Sequence, residues 1–189
     1  ILHKIIKNAL VFSSVNPEVV QFIDPKIKDA VSGIISANGL VDVIIPRGSS
    51  SFINLVRENA TVPVIETGAG VCHTFVDSTS KLNLSAQIIF NAKTQRPSVC
   101  NSLDTLLVHS EIAKKFLPMV SKLLLQKQVE IFADSKSFEI LKNHYQTRLL
   151  KMAKATDFGR EFLSQKISIK IVSSVNEAIK HINKYSSKY

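Results

Sequence analysis

Short apolar runs alternate along this chain with stretches whose apolar positions recur at helical spacing. Residues 41–45, 62–65, 71–76, 103–108, 129–132 and 167–172 have the length and β-branched content of buried strands, and 19–23 reads as a further short one. Between them lie the helical patterns. Residues 1–10 read as the end of a helix. Pro25, after Asp24 as a cap, opens a second helix that runs to the Asn38-Gly39 stop. Residues 49–59, 82–92, 135–142 and 175–185 follow, the last with Ser174 near its cap. Residues 111–126 carry an apolar stripe through Ile112, Phe116, Met119, Val120 and Leu123. The stretch 143–165 is the least regular.

Strand–helix alternation of this kind predicts an α/β protein with a mostly parallel sheet. Residues 1–60 read as the remnant of a doubly wound, Rossmann-like domain without a Gly-rich opening loop. Residues 61–189 read as a second α/β domain. The turn Glu66-Thr67-Gly68-Ala69-Gly70 lies near the junction.

Composition narrows the class. Apolar residues make up 45% of the 189, and Pro and Gly number 6 each, as in a core-bearing globular chain. No apolar run has the length of a membrane span, and Ile1-Leu2-His3-Lys4 does not begin a signal peptide. The first residue is Ile, so the chain is expected to be processed or part of a longer one. Two cysteines make no disulfide framework and suit a cytoplasmic setting, and no zinc-type spacing is present. The net charge of +9 is spread along helices rather than gathered with aromatics, which argues for a solvated surface and against nucleic acid. A modest positive field would still draw in an anionic substrate.

The candidate chemistry centres on Asn91-Ala-Lys-Thr-Gln-Arg-Pro-Ser-Val-Cys-Asn101. Cys100 ends a polar loop that carries Lys93 and Arg96, and nearby cations favour the thiolate, the nucleophilic form. Spacing alone leaves two readings open: a nucleophile, or a buried loop cysteine. Glu66 stands where a strand meets a glycine-rich turn, as a structural hydrogen bonder or as a carboxylate facing a cleft. Cys72 and His73 are adjacent on a strand and so point to opposite faces, which argues against a dyad. Arg47-Gly48-Ser49-Ser50 follows a strand and opens a helix, a place where backbone N–H groups can meet an anion.

Val62-Pro-Val-Ile-Glu-Thr-Gly-Ala-Gly-Val-Cys-His73 and the loop ending in Cys100 closely resemble gamma-glutamyl phosphate reductase, of the aldehyde dehydrogenase superfamily. Further matches are Asp42-Val-Ile-Ile-Pro-Arg-Gly48, Thr105-Leu-Leu-Val108, Phe116-Leu-Pro118 and Asn176-Glu-Ala-Ile-Lys-His-Ile-Asn-Lys-Tyr185. The 34-residue interval from Glu66 to Cys100 is that of the superfamily's catalytic glutamate and cysteine.

The resemblance implies an aldehyde-dehydrogenase-like fold: a truncated NADPH-binding domain over residues 1–60 and a catalytic domain over 61–189. It implies reduction of gamma-glutamyl phosphate to glutamate-5-semialdehyde in proline biosynthesis. Cys100 attacks the acyl phosphate, phosphate leaves, and NADPH reduces the thioester. The backbone N–H of Cys100 is a candidate oxyanion donor. Glu66 orients cofactor or tunes the thiol, because deacylation needs no water. Arg47, Gly48, Ser49 and Glu66 are expected on the cofactor side, and Lys93, Arg96 and Asn101 on the substrate side.

Ser49 stands where the family usually has glycine, and its Cβ would crowd a cofactor. The family also has a long further segment before the first residue here. The expected partner is therefore the substrate, with either a homo-oligomer or a complementing N-terminal half. The alternative is a truncated remnant that does not bind NADPH by itself.

Overall fold

A computed structural model describes residues 1–66 and 70–187. The turn expected at Thr67-Gly68-Ala69 lies outside the described residues. The chain divides into two compact units, Ile1–Glu66 and Thr67–Tyr189.

The first unit is mostly helix and turn. It holds α1 (Leu2–Phe12), α2 (Ala30–Ile35) and α3 (Ser50–Asn59). The strand expected at 19–23 does not form: Val19 closes a 3-10 turn, Pro17–Val19, capped by Asn16. The helix expected from Pro25 is confined to Ala30–Ile35. Two local features block its first turns. The Asp24 carboxylate takes the Lys26 N–H at 2.9 Å, an Asx-turn that competes with helix. Asp29 sits in the left-handed region at φ 60°.

The runs 41–45 and 62–65 meet in a single parallel bridge, Ile44 to Val64. Ile44 N–H donates to Pro63 O and Ile65 N–H to Ile44 O, at 2.9 and 2.8 Å. A strand is defined by its ladder, and no further ladder forms among the described residues of this unit. The Rossmann-like sheet expected there is thus reduced to one bridge.

The second unit carries the parallel sheet. Its strands are β1 (Cys72–Val76), β2 (Leu103–His109), β3 (Glu130–Ala133), β4 (Leu150–Met152) and β5 (Lys166–Val172), in the order β1-β2-β5-β3-β4. Parallel neighbours need crossovers. They are α4 (Leu82–Thr94), α5 (Ser110–Gln126) and α6 (Ser135–Leu141), and α7 (Val175–Tyr185) follows β5.

The period-2 alternation of the strands decides which face each helix covers. Leu106 and Val108 of β2, with Ile167, Ile169 and Ile171 of β5, share one core with Ala86 and Ile89 of α4 and Phe116 and Val120 of α5. Leu107 and Val172 face the other way, onto Ala178 of α7. On that face Thr105 Oγ1 and Ser168 Oγ donate to the carbonyls of Phe158 and Asp157, at 3.2 and 2.9 Å. The irregular stretch 143–165 thus contains a 3-10 segment, Ala155–Gly159, that helps cover the sheet. It also contains β4, which sequence reading missed because three residues at a sheet edge show no alternation.

Candidate active site

The site begins at the N-terminal edge of β1 and β2. α4 ends as the chain approaches Pro97, because the residue before a proline is disfavoured in helix. A tight loop follows, with Val99 N–H donating to Arg96 O and Ser102 N–H to Val99 O, at 3.3 and 3.0 Å. Cys100 is exposed on this loop. Arg96, Cys100 and Asn101 line one hollow of about 450 Å³, with Asn91, Gln95 and Ser102 completing its polar wall. That volume suits a small molecule.

Lys93 departs from expectation. Expected to meet the substrate, it has no solvent exposure, and its Nζ donates to Leu103 O at 2.7 Å. The Asp104 carboxylate lies 3.9 Å from the same ammonium. A cation beside the cysteine loop is expected to face the substrate, but here it turns inward and braces the loop from behind. Burial pulls Lys93 below the ordinary lysine range, against the attraction of Asp104. Burial likewise pushes Asp104 up, opposed by the Phe162 N–H, by Lys93 and by the Cys72 N–H.

The segment entering β1 is held tightly. Three consecutive N–H groups are taken by side chains from distant parts of the chain. Gly70 donates to Glu161 Oε1 at 3.0 Å, Val71 to Ser187 Oγ at 2.9 Å and Cys72 to Asp104 Oδ2 at 3.3 Å. Cys72 Sγ in turn donates to the carbonyl of Cys100 at 3.5 Å. Burial raises the Cys72 thiol above its ordinary value, and the Asp104 carboxylate adds to the effect. Asp104, Glu161 and Ser187 were missed in the sequence. Only Asp104 left a signal there, as an acidic residue inside an apolar run.

Arg47, Gly48, Ser49 and Glu66 lie in the first unit. Ser49 is the N-cap of α3, accepting the Phe52 N–H at 3.3 Å, so its hydroxyl is engaged with its own helix. Glu66 Oε1 pairs with Arg57 at 3.4 Å, a partner that the sequence did not reveal. As a cradle for NADPH this unit offers a basic side chain, one helix start and a carboxylate. Its one strand–helix–strand connection, from Ile44 through α3 to Val64, is paired by a single bridge, so these residues fit only part of a dinucleotide. Among the described residues no group of three or more His, Cys, Asp or Glu could hold a metal ion. No helix among them is long and apolar enough to cross a membrane.

The fold is aldehyde-dehydrogenase-like. It is shared with a propionaldehyde dehydrogenase from Clostridium phytofermentans, 13% identical with a TM-score of 0.70, over 97% of this chain and 48% of that one. A glyceraldehyde-3-phosphate dehydrogenase from Methanocaldococcus jannaschii, complexed with NADP, superposes at 0.64 over 97% of this chain and 52% of that one, with 18% identity. More specifically, the chain is homologous over its whole length to gamma-glutamyl phosphate reductases. That of Pelodictyon phaeoclathratiforme is 46% identical over 189 residues, all of this chain and 44% of the relative. That of Parabacteroides distasonis is 46% identical over 188 residues, 45% of its length. The crystal structure of the Thermotoga maritima enzyme superposes with a TM-score of 0.85 at 40% identity, over 97% of this chain and 43% of that one. The chain thus spans less than half the length of these relatives. No family model matches it.

Proposed function

We propose that this chain is the thiol-bearing part of a gamma-glutamyl phosphate reductase, an NADPH-dependent oxidoreductase of proline biosynthesis that acts in the cytoplasm. The observation that carries the reading is an exposed Cys100 on a polar hollow with Arg96 and Asn101, in a chain 46% identical to such enzymes from end to end.

In this reading the Cys100 thiolate attacks the acyl carbonyl carbon of gamma-glutamyl phosphate. The new C–S bond forms as the C–O bond to phosphate breaks, and phosphate leaves with the electron pair. The Arg96 guanidinium meets the anionic substrate, matching phosphate or carboxylate geometry. The Asn101 amide offers a neutral hydrogen bond beside the thiol. NADPH, when bound, supplies hydride to reduce the thioester. Arg47 and the Gly48-Ser49 turn contribute to its binding. Glu66, engaged with Arg57, orients groups on the cofactor side rather than activating water, since reduction releases the acyl group without hydrolysis.

The partner in this reading is the part of the enzyme that this chain does not span, on a second polypeptide or on the same one. Its support is the surface of the first unit. Ile1, Leu2, Ile5, Val11 and Phe12 of the α1 region are exposed, as are Phe22, Leu40 and Ile45. No residue of α1 is buried, although the helix is amphipathic.

Reconstitution tests the proposal. The chain is mixed with a separately made polypeptide carrying the remainder of the enzyme. Activity is followed in reverse, as NADPH formed from glutamate-5-semialdehyde, phosphate and NADP⁺. The chain alone is expected to be inactive and the mixture active, and Cys100→Ser to abolish the activity. Undiminished turnover by Cys100→Ser would remove the thiol mechanism.

A further inference from the structure

We propose that the buried Lys93–Asp104 pair is a positioning device for Cys100, a role that rests on the reading of Cys100 as nucleophile. Neither residue touches the hollow by its charged group: Lys93 is fully buried and Asp104 is 1% exposed. Lys93 stands at the end of α4, before the loop, and Leu103 opens β2, after it. The 2.7 Å bond from Lys93 Nζ to Leu103 O therefore staples the two ends of the cysteine loop together.

Asp104 joins that staple to two other parts of the unit. Its two carboxylate oxygens take the Cys72 N–H at 3.3 Å and the Phe162 N–H at 3.0 Å. The Cys72 N–H fixes the start of β1, and that segment supports the cysteine loop directly, through the Cys72 thiol on the Cys100 carbonyl. One ion pair thus ties the loop ends, the entry to β1 and the 162 segment into a single rigid frame around the thiol.

A buried ion pair is a poor source of stability. Desolvation offsets most of its attraction, and apolar replacements of similar volume often restore the fold. What such a pair supplies that an apolar pair does not is directed hydrogen bonding. Here that consists of an acceptor for two specific backbone amides and a donor to one specific carbonyl. This makes the pair a means of setting geometry, with stability secondary.

The experiment compares iodoacetamide alkylation of Cys100 and Cys72 in the 189-residue chain, resolved by peptide mass spectrometry, alongside thermal melting. Three chains are used: the wild type, Asp104→Asn, and the apolar double variant Lys93→Met/Asp104→Leu. A loosened frame takes the Cys100 thiol out of its fixed orientation on the hollow and slows it. The Asp104 carboxylate itself raises the Cys72 thiol, so the readout across variants is the rate of Cys100 alone. That rate is expected to fall about tenfold in Asp104→Asn. In the double variant the melting temperature is expected to recover while the Cys100 rate stays low. A merely structural pair would instead recover both together, and that outcome overturns the proposal, as does an unchanged Cys100 rate in a folded Asp104→Asn chain. If Asp104→Asn does not fold, the double variant decides. A wild-type Cys100-to-Cys72 ratio near one removes the nucleophile reading and this role with it. A high wild-type ratio with a Cys100 rate that no variant alters removes the positioning role alone.

Discussion

Gly70 lies directly against the backbone of Cys100: a Cβ built on Gly70 would sit 2.0 Å from the Cys100 carbonyl oxygen and 2.9 Å from its carbonyl carbon. The obstacle is backbone, which cannot swing aside as a flexible side chain does. Gly70→Ala is therefore expected to push the cysteine loop away from β1, costing about 1–3 kcal/mol as overpacking does. Urea unfolding measures the loss. Wild-type stability in this variant would show that the loop yields freely.

Cys100 and Cys72 differ in environment, which makes each a control for the other. Cys100 is exposed, whereas Cys72 is half-buried and its thiol is raised by burial and by Asp104. At neutral pH, iodoacetamide is expected to modify Cys100 first. Cys72 is expected to react appreciably only as the pH rises, because more of it then becomes thiolate. Equal, slow rates near neutrality would count against a reactive Cys100.

His181 is buried against Phe158 and Tyr185, with His73 beside it at a ring separation of 5.6 Å. Burial, reinforced by the charge of His73, moves its pKa from 6.5 down to about 4. Lys170 and Lys184 push the same way and Glu177 opposes them. Between those two values the unfolded chain takes up a proton that the folded chain resists. Stability is therefore full above pH 6.5, falls as pH drops through the window and levels off below about 4. Urea midpoints measured across that range should show a smaller acid loss for His181→Phe than for the wild type. Identical slopes would contradict the assignment.

The Ser49 side chain caps α3 by accepting the Phe52 N–H. Ser49→Ala is expected to weaken the helix start by about 1 kcal/mol, and Ser49→Gly by only a few tenths. Amide exchange at Phe52 reads this directly. Equal exchange in all three chains would mean that the cap contributes nothing.

The second unit was legible because its signals are local. Residues 103–108 and 167–172 are apolar runs bounded by turns, and residues 111–126 keep a helical stripe. Each was found within a residue or two of its observed bounds. The first unit was less legible. The runs at 19–23, 41–45 and 62–65 have strand composition, but composition supplies no partner. Their backbone groups form one bridge between them. The helix expected from Pro25 was lost to an Asx-turn and a left-handed Asp29, both conformational choices that periodicity does not record.

In the second unit the sequence by itself determined the order of elements other than β4, the parallel character of the sheet and the loop on which Cys100 stands. Each of these follows from the spacing of apolar residues and from proline and glycine in the chain. Only the tertiary structure decided what surrounds the thiol. Lys93 reads as a cation facing the substrate, yet it is sealed behind the loop on Leu103 O. Asp104 looks out of place in an apolar strand, yet it anchors Cys72 and Phe162. Glu161 and Ser187 reach back to Gly70 and Val71 across most of the second unit's length. Such contacts join residues far apart in the chain, and whether a charge is buried or solvated depends on the packing of elements that no single stretch of sequence contains.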